Sequence, residues 1–266
     1  MDLVKKAKEI RSDMLKMLNK AGSGHTAGPL GMVEIFTYLY FKFLKINPKK
    51  PLDKKRDYLI LSNGHICPVQ YTVLAHKGFF NKAKLNTLRK LGSPLQGHPH
   101  RTALPGIETT SGPLGSGISQ AAGIALGLRL DKLNNKVVCI TSDGEHQEGN
   151  TWEAVLFAAK YKLNNLIVII DRNFIQIDGN TEEVLPLGSL ADKYKSFNWH
   201  VQEINGNNFK EIERALNNAS KIKDKPCVIV ANTTPGKGVS FMENDYKWHG
   251  KTPNDEELKK ALEELK

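Results

Sequence analysis

Residues 136–150 read KVVCITSDGEHQEGN, an unbroken apolar run that ends in two hydroxyls and passes into three carboxylates, a histidine and two glycines. A continuous apolar run, rather than an alternating one, is what a strand buried on both faces needs, and such strands belong to parallel sheets covered by helices. The same hand-over recurs along the chain. YLILS (58–62) leads into NGH, LIVII (166–170) into DRNFIQIDG, and VIVAN (228–232) into TTPGKG, with a further strand in WHVQEIN (199–205).

Segments of helical character separate these runs. Leu3, Ala7, Ile10, Met14 and Leu18 recur at helical spacing, and KAGSG (20–24) supplies glycines to end that helix. Helices are also expected in 32–44, 67–78, 118–133, 151–163 and 208–220, and an acidic-to-basic one near the end in NDEELKKALEELK, while GSGHTAGPLG (22–31) and 91–117 read as loops. The pattern predicts an α/β fold: a doubly wound, mainly parallel sheet with helices on both faces, formed as one domain over residues 1–266.

Composition narrows the functional classes. With 40% hydrophobic and 25% charged residues the chain has the make-up of a globular enzyme or binding domain. The start, MDLVKKAKEIRSDM, lacks the pattern of a signal peptide, and no apolar run reaches membrane-spanning length. Cys67, Cys139 and Cys227 are far apart and odd in number, which predicts reduced, buried thiols and a cytoplasmic protein. The net charge of +10 is spread over many segments; its one dense cluster, NPKKPLDKKR (47–56), has no interleaved aromatics and is expected to be a solvated loop, not a nucleic-acid surface.

In parallel α/β sheets ligands bind beyond the carboxyl ends of the strands. Asp143 and Asn173 are separated by the length of one strand–helix–strand unit, so both are expected at neighbouring strand ends. A carboxylate and an amide oxygen so placed suit a hard cation such as Mg²⁺, which completes its shell with phosphate and water. Gly144 permits close backbone approach, and Gly149 precedes a helix whose N-terminus favours an anion. Taken alone, Asp-Gly is equally a simple turn. Of eight histidines, His25, His65, His98 and His249 each adjoin a glycine, which places them in loops suited to proton transfer; His76 and His200 read as structural or exposed, and His100 and His146 are not assigned to a site.

The motifs GSGHTAGPLG, LSNGH, QGHPH, TTSGPLGSG, SDGEHQEG, DRNFIQIDG, TPGKGVSFME and WHG occur in the order found in transketolases. The chain resembles the diphosphate-binding (N-terminal, PP) domain of that family, most closely the N-terminal subunit of two-chain transketolases. The resemblance implies thiamine diphosphate, a divalent cation (Mg²⁺, or Ca²⁺ or Mn²⁺) and transfer of a two-carbon ketol unit between sugar phosphates, as in the pentose phosphate pathway. It implies Asp143, Asn173 and the Ile175 carbonyl as cation ligands, with the Gly144 N–H on the diphosphate. His65 and His249 would neighbour the diphosphate and the reacting carbon, Gly112, Pro113 and Leu114 would line the thiamine pocket, and His25 and His98 would meet substrate hydroxyls. Glu148 would support a subunit interface near the cofactor, and Glu145 is expected to face solvent.

Ser142, where the family usually has glycine, His146 and His100 depart from the pattern. The resemblance also implies that the pyrimidine and C-terminal domains lie on a separate chain, in an assembly of two copies of each. Rival readings are dihydroxyacetone synthase, 1-deoxyxylulose-5-phosphate synthase, the α subunit of a 2-oxoacid dehydrogenase, and a non-catalytic homologue acting as a binding protein.

Overall fold

The apolar runs form strands. In the computed structural model, which describes residues 1–266, the strands in chain order are β1 (Tyr58–Leu61), β2 (Val137–Ser142), β3 (Leu166–Arg172), β4 (Ile175–Gln176), β5 (Gly179–Asn180), β6 (His200–Asn205) and β7 (Cys227–Asn232). Five make one parallel sheet in the order β1-β2-β3-β7-β6, and β4 and β5 form a short antiparallel hairpin. All seven residues of β3 are buried, as expected of a central strand flanked on both edges.

Ten α-helices surround the sheet: α1 (Leu3–Ala21), α2 (Ala27–Gly31), α3 (Val33–Tyr38), α4 (Cys67–Lys77), α5 (Ser116–Leu130), α6 (Gly149–Lys160), α7 (Thr181–Val184), α8 (Leu190–Ser196), α9 (Phe209–Ala219) and α10 (Asp255–Glu264). Alternate residues of each strand serve opposite layers. Leu166, Val168 and Ile170 share an apolar cluster with α5, α6 and α8, whereas Ile167 and Ile169 join the larger cluster built on α1, α3, α4, α9 and α10. Both faces are therefore covered, and each fully buried Ile or Val contributes about 1.5–3 kcal/mol by leaving water.

Some expectations need correction. Half of GSGHTAGPLG is helix α2, because Pro29 sits in a first turn, where its missing N–H is no loss, and the glycines serve close packing: a Cβ on Gly31 would lie 3.0 Å from the Thr234 carbonyl oxygen. The aromatic segment 32–44 is helical, but its second half, Leu39–Phe43, widens to a π-helical turn. Helix α10 begins with an Asn254–Glu257 capping box and has no basic residue in its last turn, so it does not run from acidic to basic. The end of α1 is as expected: Gly22 is left-handed at φ 65°, and its N–H reaches the Leu18 and Asn19 carbonyls. The three cysteines are free and buried, and no helix is long and apolar enough to cross a membrane.

Candidate functional site

Beyond β3 the chain skips to the far edge of the sheet at β6 before returning through β7 between them. At such a switch point the loops diverge and leave a crevice. The register of β2 with β3 pairs Ser142 with Asp171, which brings Asp143 and Asn173 to adjacent strand ends.

Asp143 is fully buried. Its Oδ1 accepts from the Gly144 N–H (2.8 Å), and its Oδ2 from the Phe174 N–H (2.8 Å) and Arg172 Nη1 (3.2 Å). Asp171, a residue unremarked in the sequence, accepts from Asn173 Nδ2 (2.8 Å) and the Thr233 hydroxyl (2.5 Å). That donation fixes the Asn173 amide, so its Oδ1 is the atom left to accept, and it takes the Ile175 N–H at 3.0 Å. Burial raises the Asp143 carboxyl above its ordinary range and pushes Asp171 up to about 7. Arg172 pairs with Asp143 at 3.2 Å and with Glu182 at 2.7 Å, and Asp171 has no cationic partner.

Across the crevice three imidazoles face one another, with ring centroids 5.0 Å apart for His25 and His65, 5.4 Å for His25 and His249, and 5.2 Å for His65 and His249. Local chemistry explains the convergence. The Thr26 hydroxyl donates to the Lys251 carbonyl (2.6 Å), tying the loop of His25 to that of His249. A Cβ on Gly64 would lie 2.6 Å from Ser111 Cβ and 3.0 Å from His98 Cδ2, so glycine there lets the loop bearing His98 close over His65. Burial, then the neighbouring His249, lowers His25 to about 4 and His65 well below its usual value; burial also lowers His98 and His249. All four are neutral proton acceptors near pH 7. Nδ1 of His25 and of His249 is buried without a partner, which marks a place for a polar ligand.

These two sides bound an open cleft of ≈ 440 Å³, within the range of small-molecule sites. His25, His65, His98, His249, Gly112, Leu114, Gly144, Glu148, Asn173 and Ile175 all line it, whereas Asp143, which is buried, and Pro113, which is exposed, do not. Gln147, Gln176, Ile177 and Asp178 also line it. The Gly144 N–H is engaged by Asp143, so an anion reaching it would share that donor.

Glu145 does not face solvent: it is 1% exposed, because the turn after β2 winds into a tight helical turn that carries its side chain inward. His146, also buried, joins the Ser142 carbonyl through Nδ1 (2.8 Å) to the Tyr194 hydroxyl through Nε2 (2.9 Å). Its role is structural, and it accounts for one departure from the family pattern. His100 is exposed and bonded to Thr102 at 3.0 Å.

The family profile described as "Transketolase, thiamine diphosphate binding domain" matches residues 4–265. The chain belongs to this family. It is 39% identical over 255 residues to one subunit of the apulose-4-phosphate transketolase of Phocaeicola vulgatus, covering 96% of this chain and 90% of that one. It is 42% identical to the 6-deoxy-6-sulfo-D-fructose transketolase subunit SqwG of a Clostridium species, covering 99% and 96%. Human transketolase is 35% identical, with 92% of this chain aligned to 39% of that protein. Among solved structures, transketolase from Campylobacter jejuni superposes with a TM-score of 0.94 at 34% identity, covering all of this chain and 43% of the other.

For a transketolase domain, the strand-end chemistry fits a divalent cation. No three His, Cys, Asp or Glu side chains are grouped as metal ligands, so a cation here would rely on one carboxylate with amide and main-chain oxygens. That all-oxygen set suits Mg²⁺, Ca²⁺ or Mn²⁺ rather than zinc.

Proposed function

We propose that this chain is the N-terminal, diphosphate-binding subunit of a two-chain transketolase. With thiamine diphosphate and a divalent cation it would transfer a two-carbon ketol unit between sugar phosphates. The observation that carries this reading is one cleft holding three mutually facing, neutral imidazoles opposite Asn173, Gly144 and the buried Asp143.

Asp143, Asn173 and the Ile175 carbonyl would hold the cation, and Gly112 and Leu114 the ring side of the cofactor. Bound thiamine diphosphate supplies the carbanion stabilisation that C–C cleavage requires. This chain's own part is proton handling. A neutral imidazole in a partly desolvated cleft accepts a hydroxyl proton of the sugar as the carbonyl forms, and returns it in the reverse step. His25 and His98 are assigned to substrate hydroxyls, and His65 and His249 to the reacting carbon. Relatives named for apulose 4-phosphate and for 6-deoxy-6-sulfofructose support a sugar bearing a terminal phosphate or sulfonate.

The partner would be a C-terminal subunit carrying the pyrimidine domain, joined near Glu148, with two copies of each chain in the cytoplasm. Support comes from relatives of this length that are themselves named as subunits. The test is calorimetric titration of thiamine diphosphate with Mg²⁺, followed by a ketol-transfer assay with and without the product of a neighbouring reading frame. Binding, and turnover only with the partner, is the expected result. Full turnover by the isolated chain refutes the two-chain reading, and absence of cofactor binding to the assembled pair refutes the site.

A further inference from the structure

Glu145 carries a carboxylate that the proton chemistry above does not use, and it is 1% exposed. Oε1 accepts from the Gly115 N–H (2.6 Å) and from the Ser62 hydroxyl; Oε2 accepts from the Thr141 hydroxyl (2.5 Å) and the Ser142 N–H (3.2 Å). The four donors sit on three pieces of chain: the end of β1, the end of β2, and the turn Gly112–Gly115 that opens α5.

Helix α5 has no side-chain cap of its own. Its leading N–H groups end instead on Glu145, from Gly115, and on Ser62 Oγ, from Gly117 at 2.9 Å; the Ser62 hydroxyl in turn donates to Glu145. No Lys or Arg pairs with this carboxylate, so its buried charge is met by the positive end of a 15-residue helix and by four hydrogen-bond donors. The turn is closed from the other side as well. A Cβ on Gly115 would lie 2.0 Å from Asn150 Oδ1 and 2.8 Å from Glu148 Cβ, at the start of α6. Ser111, just before the turn, donates its hydroxyl to the Leu61 carbonyl at 2.5 Å.

We propose that Glu145 is a positioning residue: it clamps the turn Gly112–Gly115 onto the ends of β1 and β2, so that Gly112 and Leu114 are set in the cleft before any ligand arrives. The link to cofactor affinity rests on the reading of the cleft as a thiamine diphosphate site. A carboxylate is required because it accepts from four donors at once, whereas a glutamine of the same shape offers one oxygen and turns an NH₂ group toward donors. Preorganisation of this kind adds affinity by removing the ordering cost from the binding step.

The test is Glu145→Gln in the full chain. The Gly115 and Gly117 amides should exchange with deuterium at least about tenfold faster, while β3 amides keep their protection, and the calorimetric Kd for thiamine diphosphate with Mg²⁺ should rise about tenfold, the scale of a hydrogen bond to a charged group. Ser62→Ala, which keeps the carboxylate and removes one donor, should speed Gly115 exchange by roughly threefold. Wild-type exchange at Gly115 in Glu145→Gln overturns the proposal. If that variant loses β3 protection and so fails to fold, wild-type exchange at Gly115 in Ser62→Ala overturns it. Should the wild-type chain assembled with its partner not bind thiamine diphosphate, the reading of the cleft falls, and the Gly115 exchange still decides whether Glu145 holds the turn.

Discussion

Asp143→Ala separates the structural from the ligand-binding contribution of the strand-end carboxylate. In the folded chain that carboxylate accepts two main-chain N–H groups at 2.8 Å and Arg172 at 3.2 Å, fully shielded from water. Truncation leaves those two half-buried N–H groups without that acceptor, at about 1–3 kcal/mol each, toward the lower end for Gly144, which lines the open cleft. Two effects offset part of the loss: Arg172 keeps Glu182 at 2.7 Å, and Asp171 loses a repulsive neighbour. A net loss of about 2–3 kcal/mol follows, which for a domain of this size lowers Tm by roughly 4–12 °C. In the wild type, Mg²⁺ and thiamine diphosphate at 100 times their Kd should add about 2.7 kcal/mol, or roughly 5–11 °C. The variant should gain nothing. Differential scanning fluorimetry with and without both ligands reads both effects, with urea unfolding as the check on stability. A variant that loses stability as calculated, yet keeps the full ligand-induced rise in Tm, refutes the assignment of Asp143 to the cation.

His25 has its folded-state pKa lowered to about 4 from 6.5 by burial, so below pH 6.5 the unfolded chain binds its proton first and stability is lost as pH falls toward 4. Asp171, raised to about 7, acts in the opposite sense, but it does so equally in a His25→Asn variant. The wild type should therefore lose about 1–2 kcal/mol more than His25→Asn between pH 7 and 4.5 in urea titrations, after discounting for partial exposure; parallel profiles would contradict the neutral buried imidazole. Gly115→Ala adds a Cβ at a left-handed residue (φ 79°) 2.0 Å from Asn150 Oδ1. It should cost at least about 2 kcal/mol in urea unfolding, and a loss below about 1 kcal/mol would show the turn to be loosely held. EDTA should weaken thiamine diphosphate binding at least about 100-fold by calorimetry, and an unchanged Kd in EDTA would rule out a bridging cation.

The sheet was legible because buried parallel strands must be continuously apolar, and VVCI and LIVII can satisfy little else. Asp143 and Asn173 were placed by topology alone, since neighbouring parallel strands put equivalent ends side by side. Glu145 was not legible. Whether an Asp-Gly-Glu turn points its glutamate out or in depends on what lies beneath it, here the turn at the N-terminus of α5, 30 residues earlier in the chain. His146 has the same history: its partner Tyr194 lies on α8, a helix whose seven residues gave no periodic signal. The glycines of GSGHTAGPLG suggested a loop, but at Gly31 glycine answers to a neighbouring backbone and not to a turn. Residues placed by their own strand, and histidines marked by flanking glycines, were readable, whereas Glu145 and His146, whose roles depend on a distant partner that leaves no local mark, were not.

The net charge of +10 says little about the cleft, and the reason is geometric. No Lys or Arg lines it. The one cation close to the strand ends, Arg172, is spent on Asp143 and Glu182 and lies 4.0 Å from the centre of the Phe174 ring. The histidines are held neutral by burial, with help from neighbouring histidines at His25 and His65 and from Arg89 at His98. A diphosphate entering this cleft would thus meet no Lys or Arg along its lining, although Arg89 lies close enough to His25 and His98 to lower both. Its charge would have to be balanced by a divalent cation on the Asp143 side, by main-chain N–H groups and by the N-terminus of α6, which no side chain caps. On the proposed reading, the imidazoles are left to proton transfer by the same arrangement. A charged histidine here would bind the anion more tightly but could no longer accept a proton, so on that reading the burial that lowers their pKa values would keep the two tasks on separate residues.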